Sequence, residues 1–197
     1  MVARPFFFPD NTVLINMALL ERVELLGRFV QQQGRWCASI EHEWCVSRDV
    51  LCLDGMDEAV RQVCGQPIFP DRGDHVEIQD LAMRMRAPGE ARTKNLGEAE
   101  TIVLIRRRQK YEGAIFLTDD RQARQFAEAE AAINRCLGTV ELLAYFEAAR
   151  WMTRDEVYDC LQVLRDEDRH VRPSDRRGYD RLVDGLMRRA TRSREDV

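Results

Sequence analysis

Long hydrophobic runs are missing from this chain. No apolar stretch approaches the roughly 18 residues of a membrane-crossing helix, and no leader-like segment follows Met1. Neither a membrane span nor a secretory route is therefore expected, and the reading is a cytoplasmic protein. The triplet Phe6 to Phe8 is too short for either role, bracketed as it is by Pro5 and Pro9. Metal-ligand spacing of the zinc kind is also lacking. The six cysteines (Cys37, Cys45, Cys52, Cys64, Cys136, Cys160) include no C-x-x-C pair, and the three histidines (His42, His75, His170) do not stand at zinc-ligand intervals from them. Without a leader, these cysteines read as reduced thiols. Basic excess is absent too: a net charge of −4 excludes a protein that binds polyanions over its whole surface, while leaving room for a local basic patch. There is no internal repeat, no low-complexity tract and no aromatic ladder for stacking single strands.

What is present describes a folded protein. Apolar residues make up 45% of the 197 and charged ones 32%, enough to bury a core. The stretch from Asn95 to Phe126 organises the rest. Gly97-Glu98-Ala99-Glu100 precedes the apolar run Ile102 to Ile105, and the strand-like Ala114 to Leu117 ends in Thr118-Asp119-Asp120 after a turn near Gly113. Arg4 to Pro9 predicts a short strand, with Asp10-Asn11-Thr12 opening a helix after it. Arg35 to Ile40 reads as another short strand, with Ser39 capping a helix that carries His42 and Glu43. His75 to Met85 is amphipathic, and Arg86 to Lys94 is an exposed connection. Further on come a helix over 121–132, a strand or turn over 136–140 and a helix over 142–149. A capping box at Thr153 to Glu156 opens the next helix, and an arginine-rich helix is expected from about Ser174. Strands alternating with helices predict an α/β fold with a parallel sheet.

Asp10, Glu43, Glu98 or Glu100, and Asp119 or Asp120 each stand where such a fold delivers side chains to one sheet edge. A few carboxylates from separate segments are what a hard divalent cation such as Mg²⁺ requires. Each acid also has a plain structural use. Asp10, Asp119 and Asp120 are natural helix caps, Glu98 and Glu100 suit the positive end of a helix, and Glu43 suits a solvated helix face. Residues two apart are about 200° apart around a helix, so Glu98 and Glu100 are not expected to share one ion. Arg121 and Arg124 follow the acids closely enough to hold a phosphate, with Arg106 to Arg108 and Lys110 as a second basic cluster.

The order Asp10-x-Thr12-x-Leu14-Ile15, then Glu43, then Leu96-Gly97-Glu98-Ala99-Glu100, then Leu117-Thr118-Asp119-Asp120-Arg121-x-Ala123-Arg124, then Gly138-Thr139 resembles the PIN domain over about residues 4–150. The likeness is to the branch whose third acid lies in a GEAE helix. The resemblance implies a three-layer α/β/α sandwich over 1–150, with 151–197 as a helical, arginine-rich extension. It implies an endoribonuclease dependent on Mg²⁺ or Mn²⁺, similar to VapC-type toxins that a cognate antitoxin holds silent, and in some relatives a homodimer. Carried over by position, Asp10, Glu43 and Asp120 match the first, second and fourth acids. Glu100 is the match for the third, with Glu98 the match in a different alignment. Asp119 shares the fourth position, and Thr12 and Thr118 match hydroxyls lining the pocket. The alternative is a PIN-like binding or scaffold module with a degenerate site. The long segment 46–94 departs from compact members of the family.

Overall fold

In the computed structural model, which describes residues 4–195, the chain divides into two compact units, Met1–Leu137 and Gly138–Val197. The first is built on three parallel strands in the order β1 (Phe7–Pro9), β2 (Ala114–Leu117), β3 (Ile133–Leu137). Phe8 pairs with Phe116, and Phe116 with Cys136, so the sheet's central rung is wholly apolar and buried. Asn134 is one residue too many for the β2–β3 ladder and sits at its bulge.

Helices α1 (Asn11–Leu19), α2 (Val23–Val30), α3 (Ala38–Leu51), α4 (Asp57–Cys64) and α5 (His75–Met85) all fall between β1 and α6 (Leu96–Arg107). A 3-10 turn, Gln109–Tyr111, and Gly113 at φ +79 lead from α6 into β2, and α7 (Arg121–Glu128) links β2 to β3. A mixed α/β fold with a parallel sheet is what the alternation of elements implied. The core joins α5, α6, α7 and the three strands through Ile78, Met85, Ile102, Val103, Phe116 and Ala123. β1 ends where Pro9 removes a donor, and Asp10 then accepts from the Asn11 N–H at 2.6 Å to start α1.

Three local expectations need correcting. Arg35 to Ile40 does not form a strand. Two isolated bridges, Phe7 with Gly34 and Cys37 with Ile68, stand there instead, and α3 begins at Ala38. The N-cap of α3 is Cys37, whose side chain makes no capping bond, and not Ser39. The alanine-rich stretch after Arg121 stops being helical at Glu128, and the strand occupies Ile133–Leu137 in place of 136–140. Pairing of Ile133 with Ala114 overrides the helical propensity of the Ala131-Ala132 segment, a case of tertiary structure outweighing a weak local preference.

The second unit is helical: α8 (Thr139–Ala148), α9 (Arg154–Asp166) and α10 (Arg176–Glu195). The capping box is present, with Thr153 and Glu156 exchanging bonds at 2.7 and 3.3 Å. Val157, Leu161, Leu164 and Tyr179 are fully buried.

Candidate metal centre

At the carboxyl ends of β1 and β2 the chain places its acids. Asp10 is 1% exposed and each of its oxygens is engaged. Oδ1 takes the Asn11 N–H, while Oδ2 takes the hydroxyls of Thr12 at 2.7 Å and Thr118 at 3.1 Å. Thr12 sits on the first turn of α1 and Thr118 just beyond β2, so two adjacent strand ends fix one carboxylate. Glu43 comes from the second turn of α3, and Glu98 from the first turn of α6. One carboxylate oxygen from each of Asp10, Glu43 and Glu98 lies within 4.8 Å of the other two.

Gly97 makes that meeting of helices feasible. A β-carbon added there would run into Ile40 Cδ1 and come within 2.9 Å of Glu43 Oε1. The bare backbone lets α6 press against α3 and brings the Gly97 backbone beside the Glu43 carboxylate. Ahead of it, Asn95 holds a left-handed conformation at φ 62, which asparagine tolerates better than most residues. Its side-chain amide donates to the Met85 carbonyl at 2.8 Å, fastening the start of α6 to the end of α5.

Three carboxylates in one buried place resist ionisation together. Burial, then the charges of Asp10 and Glu43, raise the pKa of Glu98. Burial, then Asp10, push Glu43 up to about 7, with the Gly97 N–H and Lys94 acting the other way. Asp10 is raised by burial despite the two threonine hydroxyls and the Asn11 N–H that oppose it. Such a set is unfavourable without a cation and favourable with one.

The remaining sequence candidates divide. Asp120 caps α7, its Oδ1 taking the Ala123 N–H at 2.7 Å, yet its charge still adds to the field on Asp10 and Glu98. Asp119 takes the side-chain amide of Asn16 at 2.9 Å. Glu100 is buried but turned away, toward the start of α3, where Ala38 N–H donates to Oε1 at 3.1 Å and Ser39 Oγ to Oε2 at 2.5 Å. Of the two GEAE glutamates, Glu98 thus stands with Asp10 and Glu43, and Glu100, the one expected as the third acid, does not. Arg124 donates to the Thr118 carbonyl at 3.4 Å, and Arg121 is exposed at the first turn of α7. Neither lines the cavity above the acids. Arg106 pairs with Glu77 and Glu130, Arg107 with Glu77, and Arg108 reaches the Phe69 carbonyl, which gives each of these three arginines a partner within the fold.

That cavity, about 710 Å³, is lined by Asp10, Glu43 and Glu98 together with Ser39, His42 and Lys94, among others. Lys94 is the sole lysine or arginine among the described residues lining it. Sequence reasoning passed over Lys94 because it lies in an irregular loop where no periodicity points to a face. Its adjacency to the GEAE helix was the available signal. The donor set is all oxygen and anionic, which suits a hard divalent cation such as Mg²⁺ or Mn²⁺ and not a thiol-preferring one. No family model matches the chain, and neither the curated proteins nor the solved structures yield a match.

Proposed function

We propose that the chain is a divalent-cation-dependent endoribonuclease of the PIN type, with Asp10, Glu43 and Glu98 as the residues that hold the ion. The observation that carries this reading is the convergence of those three carboxylates, from three separate elements, within 4.8 Å. The finer architecture expected of that family, helices layered on both faces of the sheet, belongs to the same reading. When bound, Mg²⁺ or Mn²⁺ supplies neutralisation of the charge that builds on an anionic phosphate, and a more acidic water.

The chain's own residues do the rest. Thr12, Thr118 and the Asn11 N–H hold Asp10 in one orientation, so no side-chain ordering remains to be done when substrate arrives. Lys94 on the cavity wall offers an ammonium to the scissile phosphate, which an acidic pocket would otherwise repel. Asp120 keeps α7 seated at the pocket's edge and adds negative potential for the ion.

A role as the toxin of a toxin–antitoxin pair follows from the same likeness. Exposed apolar side chains support it: Val46 on the cavity wall, then Val50 and Leu51 further along α3, offer a partner protein a surface continuous with the pocket. Purified protein is expected to cleave RNA with Mg²⁺ or Mn²⁺, and equally folded Asp10→Asn to cleave none. Absence of cleavage by wild type that binds Mn²⁺ would favour a degenerate binding module. Growth arrest on expression, relieved by a small co-expressed protein from the neighbouring gene, tests the toxin role; harmless expression of active enzyme contradicts it.

A further inference from the structure

We infer that Glu100 is a positioning residue, a clamp that sets the spacing between the two helices carrying Glu43 and Glu98. The inference rests on the metal-centre reading and deepens it.

Helix α3 starts without a cap of its own, because the side chain of Cys37 makes no capping bond. An α-helix leaves its first N–H groups unpaired, and they carry partial positive charge. Glu100, two residues beyond Glu98 on α6, joins the Ile68 carbonyl in taking the Ala38 N–H, each at 3.1 Å, and so braces the helix start from another element. Its two oxygens take the Ala38 N–H and the Ser39 hydroxyl separately, so the carboxyl is held at both atoms. At 4% exposure it has little contact with water to compete with those bonds. Ser39 and Glu43 are four apart on α3 and share a face, which is the face turned to α6.

A second contact lies one turn along, where Gly97 stands so close to Ile40 and Glu43 that a β-carbon there would run into both. Residue 100 meets residues 38 and 39 while residue 97 meets residue 43, so the helices pass in opposite directions across the contact. Cys37 adds to the same seam, its Sγ lying 3.5 Å from the Gly97 carbonyl and 3.4 Å from Thr101 Oγ1. Two fixed points a turn apart define both the separation and the slide of α3 against α6, and thereby the gap between the Glu43 and Glu98 carboxylates. The GEAE sequence thus holds four different uses. Gly97 permits close approach, Glu98 faces the ion, Ala99 packs in the core, and Glu100 locks the partner helix.

Mn²⁺ affinity by calorimetry, measured beside thermal denaturation of the ion-free proteins, tests this. Removing the support of a metal ligand typically weakens affinity about 10- to 100-fold, and Glu100→Ala is expected in that range. Glu100→Gln keeps an acceptor for Ala38 and a polar group for Ser39, so it should restore affinity to near wild type. Glu98→Gln should abolish binding. If Glu100→Gln fails as completely as Glu98→Gln, Glu100 is itself a ligand and the clamp is wrong. If Glu100→Ala melts earlier but binds Mn²⁺ like wild type, it is a helix cap with no bearing on the centre. Should Glu100→Ala not fold, Ser39→Ala removes one of the two bonds and is expected to weaken binding severalfold; unchanged affinity there overturns the clamp. A wild type that binds no Mn²⁺ sinks the metal-centre reading itself, an outcome distinct from all of these.

Discussion

Acids are handled in opposite ways in two regions of this molecule. In the helical unit, Glu147 and Asp180 share one guanidinium, Arg154, at 2.6 and 2.7 Å. Tyr179 donates to Glu147 and Tyr158 to Asp180, and the pKa of Asp180 is lowered, first by that tyrosine and then by Arg154. At the sheet edge, Asp10, Glu43 and Glu98 crowd together without an arginine, and each is raised. The contrast recurs within a single helix. Glu41 on α3 pairs with Arg61 at 2.6 Å, whereas Glu43, two residues on and on the other side, makes no ion pair among the described residues and feels the charges of Asp10 and Glu100 against that of Lys94. Acids that serve the fold are neutralised by the fold. Acids left to repel one another in a buried place are costly unless something outside the chain neutralises them, and that is where function is to be sought.

Breaking the unneutralised set should have the largest effect. Asp10→Asn removes a ligand fixed from two strand ends, and RNA cleavage should drop by at least roughly 10²-fold, about 3 kcal/mol of transition-state stabilisation. Far-ultraviolet circular dichroism should remain that of wild type. In the braced region the pattern reverses. Arg154→Ala should lower stability in urea by about 1 kcal/mol, a half-exposed pair being worth little, and leave Mn²⁺ affinity unchanged.

The two regions also part in their pH response. Glu43 is raised from 4.5 to about 7, so between those values the folded state holds a proton that the unfolded state has released. The unfolded state then binds fewer protons, and stability of the ion-free protein should fall as pH climbs from about 4.5 to 7. Glu98 and Asp10 act in the same direction. Thermal denaturation with chelator across that range checks this; a melting temperature that rises with pH would contradict it. Glu98→Gln should flatten the slope and raise the melting temperature at pH 8. The smallest effect is expected at the pocket rim. Lys94→Ala should raise KM for RNA severalfold, in line with loss of a single phosphate contact, with little change in kcat and a weaker dependence on salt.

Much of this was legible in the sequence, for reasons that can be named. Asp10 follows an apolar strand directly and Asp120 comes three residues after one, and a parallel sheet presents strand ends along one edge, so their neighbourhood could be anticipated. Helical phase separated Glu98 from Glu100, but the Gly-x-x-acid spacing favoured Glu100, whereas Glu98 is the one that meets the other acids. That depends on how α6 is rotated against α3, a rotation set by Gly97 and Ile40 from distant parts of the chain. Ser39 looked like a cap because its type favours that role, and nothing local revealed that its hydroxyl answers a carboxylate 61 residues away. Lys94 was hidden by irregular structure, and β3 was displaced by pairing that alanine-rich sequence does not advertise. Local chemistry was readable, while contacts across long separations were not.

Calorimetric titration of Mn²⁺ into wild type and Glu98→Gln near pH 7.5 examines the central point most directly. Saturable binding by the first and none by the second, with both folded, is the expected result. Equal binding by the two proteins, or none by either, would mean that the three carboxylates do not gather an ion.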